Sequence, residues 1–574
     1  MRERVFTGII LVLFIAITGG LFYTQIARYG LYSKLSEKNR IRVIPLEAPR
    51  GKMYDRNGRL LVSNRIAFDV AVVPNEISNK TKLIDGLSDI LGTEKEDMAR
   101  KISAARAGNP FLPATVAEDI EKDKAIKIEE VRMEFPGVIV TTRPIRNYIY
   151  KEAISHVTGY LGKISEAELA RYKTYGYRMV DFVGKDGLER AYNDYLRGVD
   201  GGIQTEVDSR GRQLRFLAVK EPERGKDLHL TLDAELQKFC SELFKEETGA
   251  LAVMDSETGG ILALVSSPGF DPNIFISPRN SRQVRKLLSD KKYFPMIDRA
   301  IASAYPAGSV FKIVVALGGL DSGVFGKDDT FNCSGSHWVG NRVFHCWKDE
   351  GHGTLNMRGG LKNSCNIFFY QLGISVGPDA ISKYAFKLGL GRPTGIDLPG
   401  EVSGFVPTPA WKKKSLRQAW FIGETANLSI GQGYLLVTPL QILQLVNIMA
   451  TEGKITQPFL VDKIGEVRLH HTKIQDLRLN PEAVEIVREG MRDVVNAPHG
   501  TGFYARPKEV IVAGKTGTAQ NPNGISHAWF TGFAPFDHPK ISVVVFVEHG
   551  GKGGLKPARF AKKIVEEAKR LELL

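Results

Sequence analysis

A serine and a lysine three residues apart, Ser309 and Lys312, open the apolar stretch YPAGSVFKIVVALGGL. On a helix, positions i and i+3 share a face, so the two polar side chains would lie side by side. The residues around them are apolar on nearly every side, which predicts a buried helix. Burial lowers the pKa of a lysine, and a neutral amine can take the proton of a neighbouring serine hydroxyl. The pair therefore predicts a serine nucleophile with Lys312 as its base, at a helix N-terminus that favours the developing alkoxide.

Ser-x-x-Lys is a weak pattern by itself, because it occurs about once or twice by chance in a chain of this length. Ser289 and Lys292 also match it, but they lie in the charged segment LLSDKK, which is typical of a solvated surface. A second candidate motif, Ser364-Cys365-Asn366, precedes the apolar run IFFYQLG. Taken alone it predicts only a helix start, where serine or asparagine caps free amides.

The third candidate motif lies in VIVAGKTGTAQ, residues 510–520, where Lys515, Thr516 and Gly517 follow an apolar run that predicts a strand. The letters Gly-Lys-Thr also close a nucleotide-binding P-loop, which needs a further glycine five residues before its last glycine. Glu509 occupies that position, and its carboxylate would repel phosphate. The segment therefore predicts a lysine on the edge of a sheet and no phosphate site.

Three of the four cysteines and one histidine form a set of soft metal ligands: Cys333, Cys346, His352 and Cys365. The first three lie between the first two motifs, and Cys365 lies within the second motif. Three thiolates and an imidazole suit a closed tetrahedral zinc site, which would tie the second motif to the loop before it. The alternative is a disulfide between Cys333 and Cys346, with Cys365 left as a free thiol. His337 and His345 are weaker ligand candidates. Cys240 shares a helical face with apolar residues and is expected in the core.

An uncharged apolar run near the N-terminus predicts where the chain resides. It extends from Val5 to Tyr23, and at about 1.5 Å per residue it is long enough to cross a hydrocarbon core of about 30 Å. Two arginines precede it, so the positive-inside rule places residues 1–4 in the cytoplasm and the rest of the chain outside. A cleaved signal peptide is the alternative, but the run is long and lacks an Ala-x-Ala site. We predict a single-pass anchor over residues 5–26.

The formal net charge of the 574-residue chain is +14, which favours an anionic partner or surface. The lysines and arginines are scattered, and no recognition motif with interleaved aromatic residues is present, so nucleic acid is excluded as the partner. A basic protein beside anionic lipid is the better interpretation, and we expect the membrane as a partner.

The chain after the anchor divides into two predicted regions with a boundary near residue 226, where the basic stretch KEPERGKD looks like a linker. Residues 27–225 contain hairpins and charged segments, predicted helical from about 76 to 135, with no nucleophile beside a base. Residues 226–574 have strands at both ends and a mostly helical middle, which predicts one antiparallel sheet built from distant parts of the sequence and flanked by helices. The predicted fold class is α+β: a transmembrane helix, an elongated non-catalytic domain and a catalytic domain.

The three motifs, taken in this order, resemble those of the penicillin-recognising serine acyltransferases. The stretches APRGKMYDRNGRLL, GKDGLERAYNDYLRG and NLSIGQGYLLVTPLQ look like the pedestal and transpeptidase signatures of class B penicillin-binding proteins, so the resemblance covers essentially the whole chain. Within that class, FFYQLG, GIDLPGEVSGFVPTPAWK and GHGTLN are similar to the elongation enzymes of the penicillin-binding protein 2 subfamily. Cys365 departs from the S-D-N of many relatives but leaves Ser364 and Asn366 in place.

The resemblance implies a peptidoglycan D,D-transpeptidase that forms an acyl-enzyme with stem peptides and is acylated by β-lactams. Ser309 would attack the penultimate D-alanine carbonyl, and Lys312 would take its proton. Ser364 would relay that proton to the departing D-alanine, and Asn366 would bind a substrate amide. The backbone amides of Ser309 and Thr518 would form the oxyanion hole.

By the same resemblance, Lys515 faces the cleft, and the substrate-binding residues beside it are Thr516, Gly517 and Thr518. The two threonines would hold the carboxylate of the peptide or β-lactam. The amine of a neighbouring stem peptide would then release the acyl-enzyme as a crosslink. Acyl transfer would need no cofactor, and a structural zinc is the only bound ion that the sequence suggests.

The resemblance places the protein in the cell inner membrane, with residues 27–225 as a partner-binding pedestal and residues 226–574 as a transpeptidase domain in the periplasm. A SEDS-family glycan polymerase and other membrane proteins of the elongation complex are the implied partners, because residues 27–225 leave no room for a glycosyltransferase beside a pedestal. Three alternatives stay open: a division-specific transpeptidase, a serine β-lactamase or β-lactam sensor, and an inactive scaffold for wall assembly. The lactamase alternative would need a deacylating base, for which Glu424 is the candidate.

Overall fold

The computed structural model describes residues 2–33, 41–108, 110–111, 113–172, 176–179, 181–208, 213–277, 280–470, 474–521 and 524–574. The chain forms two compact units, each assembled from three segments. The first unit comprises Met1–Gly51, Asn64–Ile145 and Arg197–Gly225, and the second comprises Lys52–Ser63, Arg146–Leu196 and Lys226–Leu574. Two segments of the predicted pedestal thus pack with the predicted transpeptidase domain. The functional division at residue 226 stays a prediction.

The N-terminal helix begins at Arg2 and ends at Phe22, and a π-helical turn, Tyr23–Ala27, continues it. The span Arg4–Ala27 is long and apolar enough to cross a membrane. Its side chains are exposed along the described part of the helix, as expected for a helix whose surroundings are lipid and not protein. The span agrees with the predicted anchor over residues 5–26.

The first unit contains a three-stranded antiparallel sheet formed, in this order, by Ile41–Leu46, Gly201–Val207 and Gln213–Lys220. It also contains a small separate core, on which the helices Lys80–Leu91, Lys95–Gly108 and Lys122–Glu130 pack. In that core, Ala114–Ile120 pairs antiparallel with the end of the strand Leu60–Val72.

The strand Ala114–Ile120 corrects the prediction that residues 76 to 135 are helical. Val116 and Ile120 are buried on one face of this strand, in the same core as Val70 and Val72 of the strand beside it. Burial of these side chains and pairing with a neighbouring strand outweigh the helix propensity of the charged residues in this region.

The second unit is built on a five-stranded antiparallel sheet, which confirms the predicted α+β architecture. Its strands are β1 (Gly249–Asp255), β2 (Ile261–Ser267), β3 (Ala513–Asn521), β4 (Gly524–Ala534) and β5 (Ile541–Val547), in the order β2-β1-β5-β4-β3. The two halves of the sheet therefore come from distant sequence, as predicted. All seven residues of β5 are buried, because helices cover both faces of the sheet.

The main helices of this unit are α1 (Ala234–Phe244), α2 (Lys312–Asp321), α3 (Asn366–Val376), α4 (Pro439–Ala450), α5 (Pro481–Asn496) and α6 (Lys556–Arg570). Helices α1 and α6 pack on the face of the sheet to which Val543 and Val545 of β5 point. Helix α4 lies on the opposite face, where the Ser542 hydroxyl donates a 2.9 Å hydrogen bond to Asn447. Every residue of α4 is buried.

Shorter elements complete the second unit. Two small antiparallel sheets lie between α2 and α3 in sequence, formed by Phe331–Cys333 with Gly353–Leu355 and by Ser336–Val339 with Arg342–His345. The remaining short strands are Met53–Tyr54, Leu161–Lys163, Phe182–Gly184, Leu228–Leu230, Lys454–Thr456, Val461–Ile464, Val467–Arg468 and Ile474–Asp476. The remaining helices of five or more residues are Glu166–Tyr172, Gly187–Ala191, Ser281–Leu288, Met357–Lys362, Pro378–Lys387, Pro409–Ser415 and Ile422–Ser429.

Candidate active site

Ser309 lies in a 3-10 turn, Gly308–Phe311, that leads directly into α2. Gly308 has a φ of +56°, and a β-carbon placed on it would lie 2.8 Å from the carbonyl oxygen of Thr518. Only glycine therefore lets this turn lie so close to β3 in the left-handed conformation. The Ser309 side chain is half-buried, and no residue that the structure describes forms a hydrogen bond with its hydroxyl. The hydroxyl is thus available to a ligand in the cleft.

Lys312 is fully buried at the first position of α2. Its Nζ donates hydrogen bonds of 2.8 Å to Oδ1 of Asn366 and 2.9 Å to the carbonyl oxygen of Ser364, and lies 3.4 Å from the Ser364 hydroxyl. Burial lowers the pKa of Lys312 to about 7. A lysine with such a pKa is partly neutral near pH 7 and can act as a base.

Ser364 lies between two buried lysines. Lys515 donates a 2.8 Å hydrogen bond to its hydroxyl and a 2.9 Å bond to the carbonyl oxygen of Thr516. Burial, and then the charge of Lys312, hold the pKa of Lys515 well below its usual value. The Ser364 backbone has a φ of +47°, a conformation that costs about 1–3 kcal/mol for a residue with a side chain. This strained turn directs the hydroxyl towards both amines.

The strand β3 is at the edge of the central sheet, so one side of its backbone pairs with no other strand that the structure describes. Thr516 is buried, whereas Thr518 is exposed and its hydroxyl accepts a 3.3 Å hydrogen bond from the amide of Gly553. A β-carbon on Gly517 would lie 3.1 Å from the carbonyl oxygen of Ala307, so glycine allows the turn Gly308–Phe311 to approach. A peptide can add to such an edge as a further strand.

Sequence reasoning missed Thr501. The hydroxyl of Thr516 donates a 3.1 Å hydrogen bond to Thr501, whose own hydroxyl donates a 3.4 Å bond to the carbonyl oxygen of Lys362. Thr501 thereby connects β3 to the segment that carries Ser364. In the sequence, Thr501 lies in the segment HGTG, which indicates a turn and matches no catalytic motif.

The four predicted metal ligands are brought together beside Ser364. The candidate ligand atoms of Cys333, Cys346, His352 and Cys365 all lie within 4.8 Å of one another. Nδ1 of His352 is 3.6 Å from Sγ of Cys333 and 3.5 Å from Sγ of Cys346, and the sulfurs of Cys346 and Cys365 are 3.9 Å apart. The hydrogen bond between the two thiols lowers the pKa of Cys346 and raises the pKa of Cys365, so one proton is shared between the two sulfurs.

The alternatives to this cluster find less support in the structure. Cys333 and Cys346 are free thiols and form no disulfide with each other. His337 and His345 lie on the hairpin of Ser336–Val339 and Arg342–His345 and are outside the four-residue group. Cys240 is fully buried in the core between α1 and the sheet, as predicted.

The structure also places the residues that the sequence analysis considered and did not assign to the catalytic site. Glu424 accepts hydrogen bonds from Lys412 and from the Phe421 amide, so its carboxylate is engaged at the start of the helix Ile422–Ser429. Ser289 and Lys292 are exposed. Lys515 stands within β3 and not in a loop that leads into a helix.

Comparison with known proteins agrees with this geometry. Residues 249–566 match the penicillin-binding protein transpeptidase domain, and residues 45–230 match the penicillin-binding protein dimerisation domain. The chain is 32% identical to the peptidoglycan D,D-transpeptidase MrdA of Haemophilus influenzae, over 98% of this chain and 90% of the relative.

Solved structures give the same result. A complex between penicillin-binding protein 2 (PBP2) and MreC from Helicobacter pylori is similar with a TM-score of 0.82 and 30% identity, covering 93% of this chain and 99% of that one. A peptidoglycan synthase complex that coordinates polymerization and crosslinking is similar with a TM-score of 0.76 and 29% identity, covering 98% of this chain and 97% of that one. The chain therefore belongs to the penicillin-binding protein 2 (MrdA) family of peptidoglycan D,D-transpeptidases.

Proposed function

We propose that Ser309 is the acyl-accepting nucleophile of this transpeptidase and that Lys312, Ser364, Asn366 and Lys515 are its other catalytic residues. The observation that carries the proposal is the position of the Ser364 hydroxyl between the amines of Lys312 and Lys515. Two buried amines sharing one hydroxyl cannot both hold their protons without a large cost, so one of them is available as a base.

In the first half-reaction, Ser309 Oγ attacks the carbonyl carbon of the penultimate D-alanine of a stem peptide. Its proton passes to Lys312, and then through the Ser364 hydroxyl to the amine of the terminal D-alanine as the carbon–nitrogen bond breaks. The amides of Ser309 and Thr518 stabilise the oxyanion, a contribution of about 3 kcal/mol per donor in other enzymes. Asn366, already paired with Lys312, binds a substrate amide.

The carboxylate of the leaving D-alanine, or that of a β-lactam, binds beside Lys515 at Thr516, Gly517 and Thr518. Thr501 holds Thr516 in place. In the second half-reaction, a primary amine of a neighbouring stem attacks the carbonyl carbon of the ester and gives up one proton to Lys312. The bond between that carbon and Ser309 Oγ breaks, and Ser309 takes up a proton to recover its hydroxyl group. Incubation with a synthetic donor ending in D-alanyl-D-alanine and an amine acceptor should release D-alanine and form an amide, and Ser309→Ala should abolish both products.

The cellular role proposed for this enzyme is cell-wall elongation at the inner membrane, with the anchor Arg4–Ala27 in the bilayer and the catalytic unit in the periplasm. The membership of the PBP2 family supports elongation over division. Depletion of the protein tests this choice: rounded cells support the elongation role, and filaments would overturn it.

The proposed partners are a SEDS-family glycan polymerase and other membrane proteins of the elongation complex. The H. pylori relative was solved with MreC, and another similar structure is a peptidoglycan synthase complex that couples polymerization to crosslinking. We assign partner binding to the pedestal, residues 27–225. Substitution of exposed apolar residues there, such as Phe216, should lower crosslinking in the membrane complex and leave penicillin acylation unchanged. An equal fall in acylation would mean that the pedestal only supports the fold.

We further propose that Cys333, Cys346, His352 and Cys365 hold one structural zinc ion. Tetrahedral zinc with sulfur at about 2.3 Å and nitrogen at about 2.0 Å puts its ligand atoms about 3.5–3.8 Å apart. The distances of 3.5, 3.6 and 3.9 Å in the cluster match that spacing. The ion would fix Cys365 and, through it, the strained turn of Ser364. It would take no part in acyl transfer.

The lactamase, sensor and scaffold alternatives are less well supported. A β-lactamase needs a free base to hydrolyse its acyl-enzyme, and Glu424 is already bound to Lys412 and to the Phe421 amide. A scaffold would not need the buried lysines, whose desolvation is costly. Slow release of a bound penicillin would support the transpeptidase, and rapid turnover of the drug would support the lactamase.

A further inference from the structure

The helix Ser281–Leu288 and the turn after it carry a cluster of exposed cations in the second unit. We refer to five of these residues as the basic patch: Arg282, Arg285, Lys286, Lys291 and Lys292. None of the five forms an ion pair with any residue that the structure describes. The one carboxylate in the segment, Asp290, accepts hydrogen bonds from the amides of Lys292 and Tyr293. The patch therefore presents a strong, local positive potential to the solvent.

Apolar side chains lie beside these cations. Leu288 is 59% exposed and Phe294 is 46% exposed, and the ammonium group of Lys292 lies 4.7 Å from the centre of the Tyr293 ring. Phe294 has a φ of +45°, which is strained for a bulky residue. Strain of this kind persists only where the surrounding structure imposes it, and it is concentrated at functional sites. Exposed aromatic rings mixed with arginine are typical of binding surfaces.

Three side chains connect the segment that carries the basic patch to the segment that precedes Ser309. Arg299 donates a 2.6 Å hydrogen bond to the carbonyl oxygen of Tyr293 and a 2.8 Å bond to Glu548. The hydroxyl of Tyr305 donates a 2.6 Å bond to the same carboxylate oxygen of Glu548. Tyr305 lies four residues before Ser309, so the patch is fixed to the same part of the fold as the cleft.

We infer that the basic patch binds the enzyme's own polymeric substrate, an uncrosslinked peptidoglycan strand, outside the catalytic cleft. This inference rests on the proposed function. Each uncrosslinked stem ends in a D-alanine carboxylate, so the strand is a flexible polymer that presents carboxylates at regular intervals. Several weak contacts between the basic patch and such a polymer would raise the effective concentration of the next stem at the cleft. This effect needs no additional contact within the cleft. The surface would therefore favour polymer over small peptides and drugs.

The test compares three full-length proteins in detergent: the wild type, a patch variant and a charge-matched control. The patch variant replaces all five cations of the basic patch by glutamine. The control replaces five exposed lysines on other elements by glutamine, so that the net charge changes equally: Lys238, Lys245, Lys383, Lys508 and Lys563. Each protein is sedimented with purified uncrosslinked peptidoglycan, mixed with anionic phospholipid vesicles, and acylated with a fluorescent penicillin.

We expect the patch variant to bind peptidoglycan at least about tenfold more weakly than the control, with penicillin acylation unchanged in both. Added salt should weaken the binding of the wild type, because exposed charges are screened. Equal binding by the patch variant and the control would overturn the inference. If the patch variant bound the vesicles more weakly and bound peptidoglycan as well as the control does, the inference would also be overturned, and lipid would be identified as the partner. A failure of the proposed function can be distinguished from a failure of this inference, because in the first case the wild type itself would not be acylated on Ser309.

Discussion

The amine of Lys515 and the hydroxyl of Ser364 are 2.8 Å apart, although 151 positions separate the two residues in the chain. Lys515 lies on the edge strand β3, and Ser364 lies in a turn before α3. Their contact joins the sheet to the helical part of the catalytic unit at the point where Lys312 also approaches. The cleft is therefore assembled by the tertiary fold from three short motifs.

Replacement of Ser364 by alanine should remove the hydroxyl that both lysines contact. We expect Ser364→Ala to lower the acylation rate by about 100-fold or more, because the proton relay to the leaving group is lost. Ser375→Ala is the matched control, since Ser375 is an exposed serine on α3 whose hydroxyl bonds only within its own helix. Stopped-flow measurement with a fluorescent penicillin gives both rates. Equal rates for the two variants would exclude Ser364 from the proton path.

The pH dependence of acylation should follow the protonation of Lys312. Burial lowers its pKa to about 7, and only the neutral amine can accept the proton of Ser309. As the pH rises from 5 towards 7, the neutral fraction grows, so the rate should rise about tenfold per pH unit and level off above the pKa. Measured rates between pH 5 and pH 8.5 test this prediction. A rate that falls as the pH rises over that range would contradict the role of Lys312 as base.

Gly308 should tolerate no side chain. Gly308→Ala would place a β-carbon 2.8 Å from the carbonyl oxygen of Thr518 and force apart the turn Gly308–Phe311 and β3. We expect it to lower the acylation rate by at least about tenfold, because small misplacements of reacting groups are costly. Gly323→Ala is the control: Gly323 also has a positive φ, of +73°, but a β-carbon added there would have no neighbour within 4 Å.

Both variants should lose about 1–2 kcal/mol of folding free energy from the strained backbone conformation. Only Gly308→Ala should also lose acylation. Thermal denaturation and acylation of the same preparations separate the two effects. Equal acylation by both variants would show that the close approach of the turn to β3 is not required.

The sequence predicted the parts of the site that are local in the chain and missed those that depend on tertiary contacts. The burial of Lys312 followed from the apolar residues around it, and the antiparallel sheet followed from strands at both ends of the catalytic region. The pairing of Ser309 with Lys312 stays a prediction. Thr501 belongs to no catalytic motif, and only the folded chain shows that it forms hydrogen bonds with Thr516 and Lys362. The strand Ala114–Ile120 was missed because its pairing with a distant strand overrides local propensity.

The metal proposal predicts about one zinc per chain in purified protein. Cys346→Ala should lower the zinc content and the acylation rate together, because the proposed ion would hold Cys365 and, through it, the turn of Ser364. Cys240→Ala removes a buried thiol that lies outside the cluster and should change neither. Elemental analysis and acylation of the two variants are the measurements. A metal-free, fully active wild-type protein would end the proposal.

Ser309 is the residue that should carry the acyl group, and every other role proposed for the cleft depends on it. Mass spectrometry after incubation with a β-lactam, followed by digestion, locates the adduct directly. We expect one stable adduct on the peptide that contains Ser309 and none in Ser309→Ala. An adduct on the peptide that contains Ser289, the other serine with a lysine three residues on, or no adduct at all, would contradict this assignment.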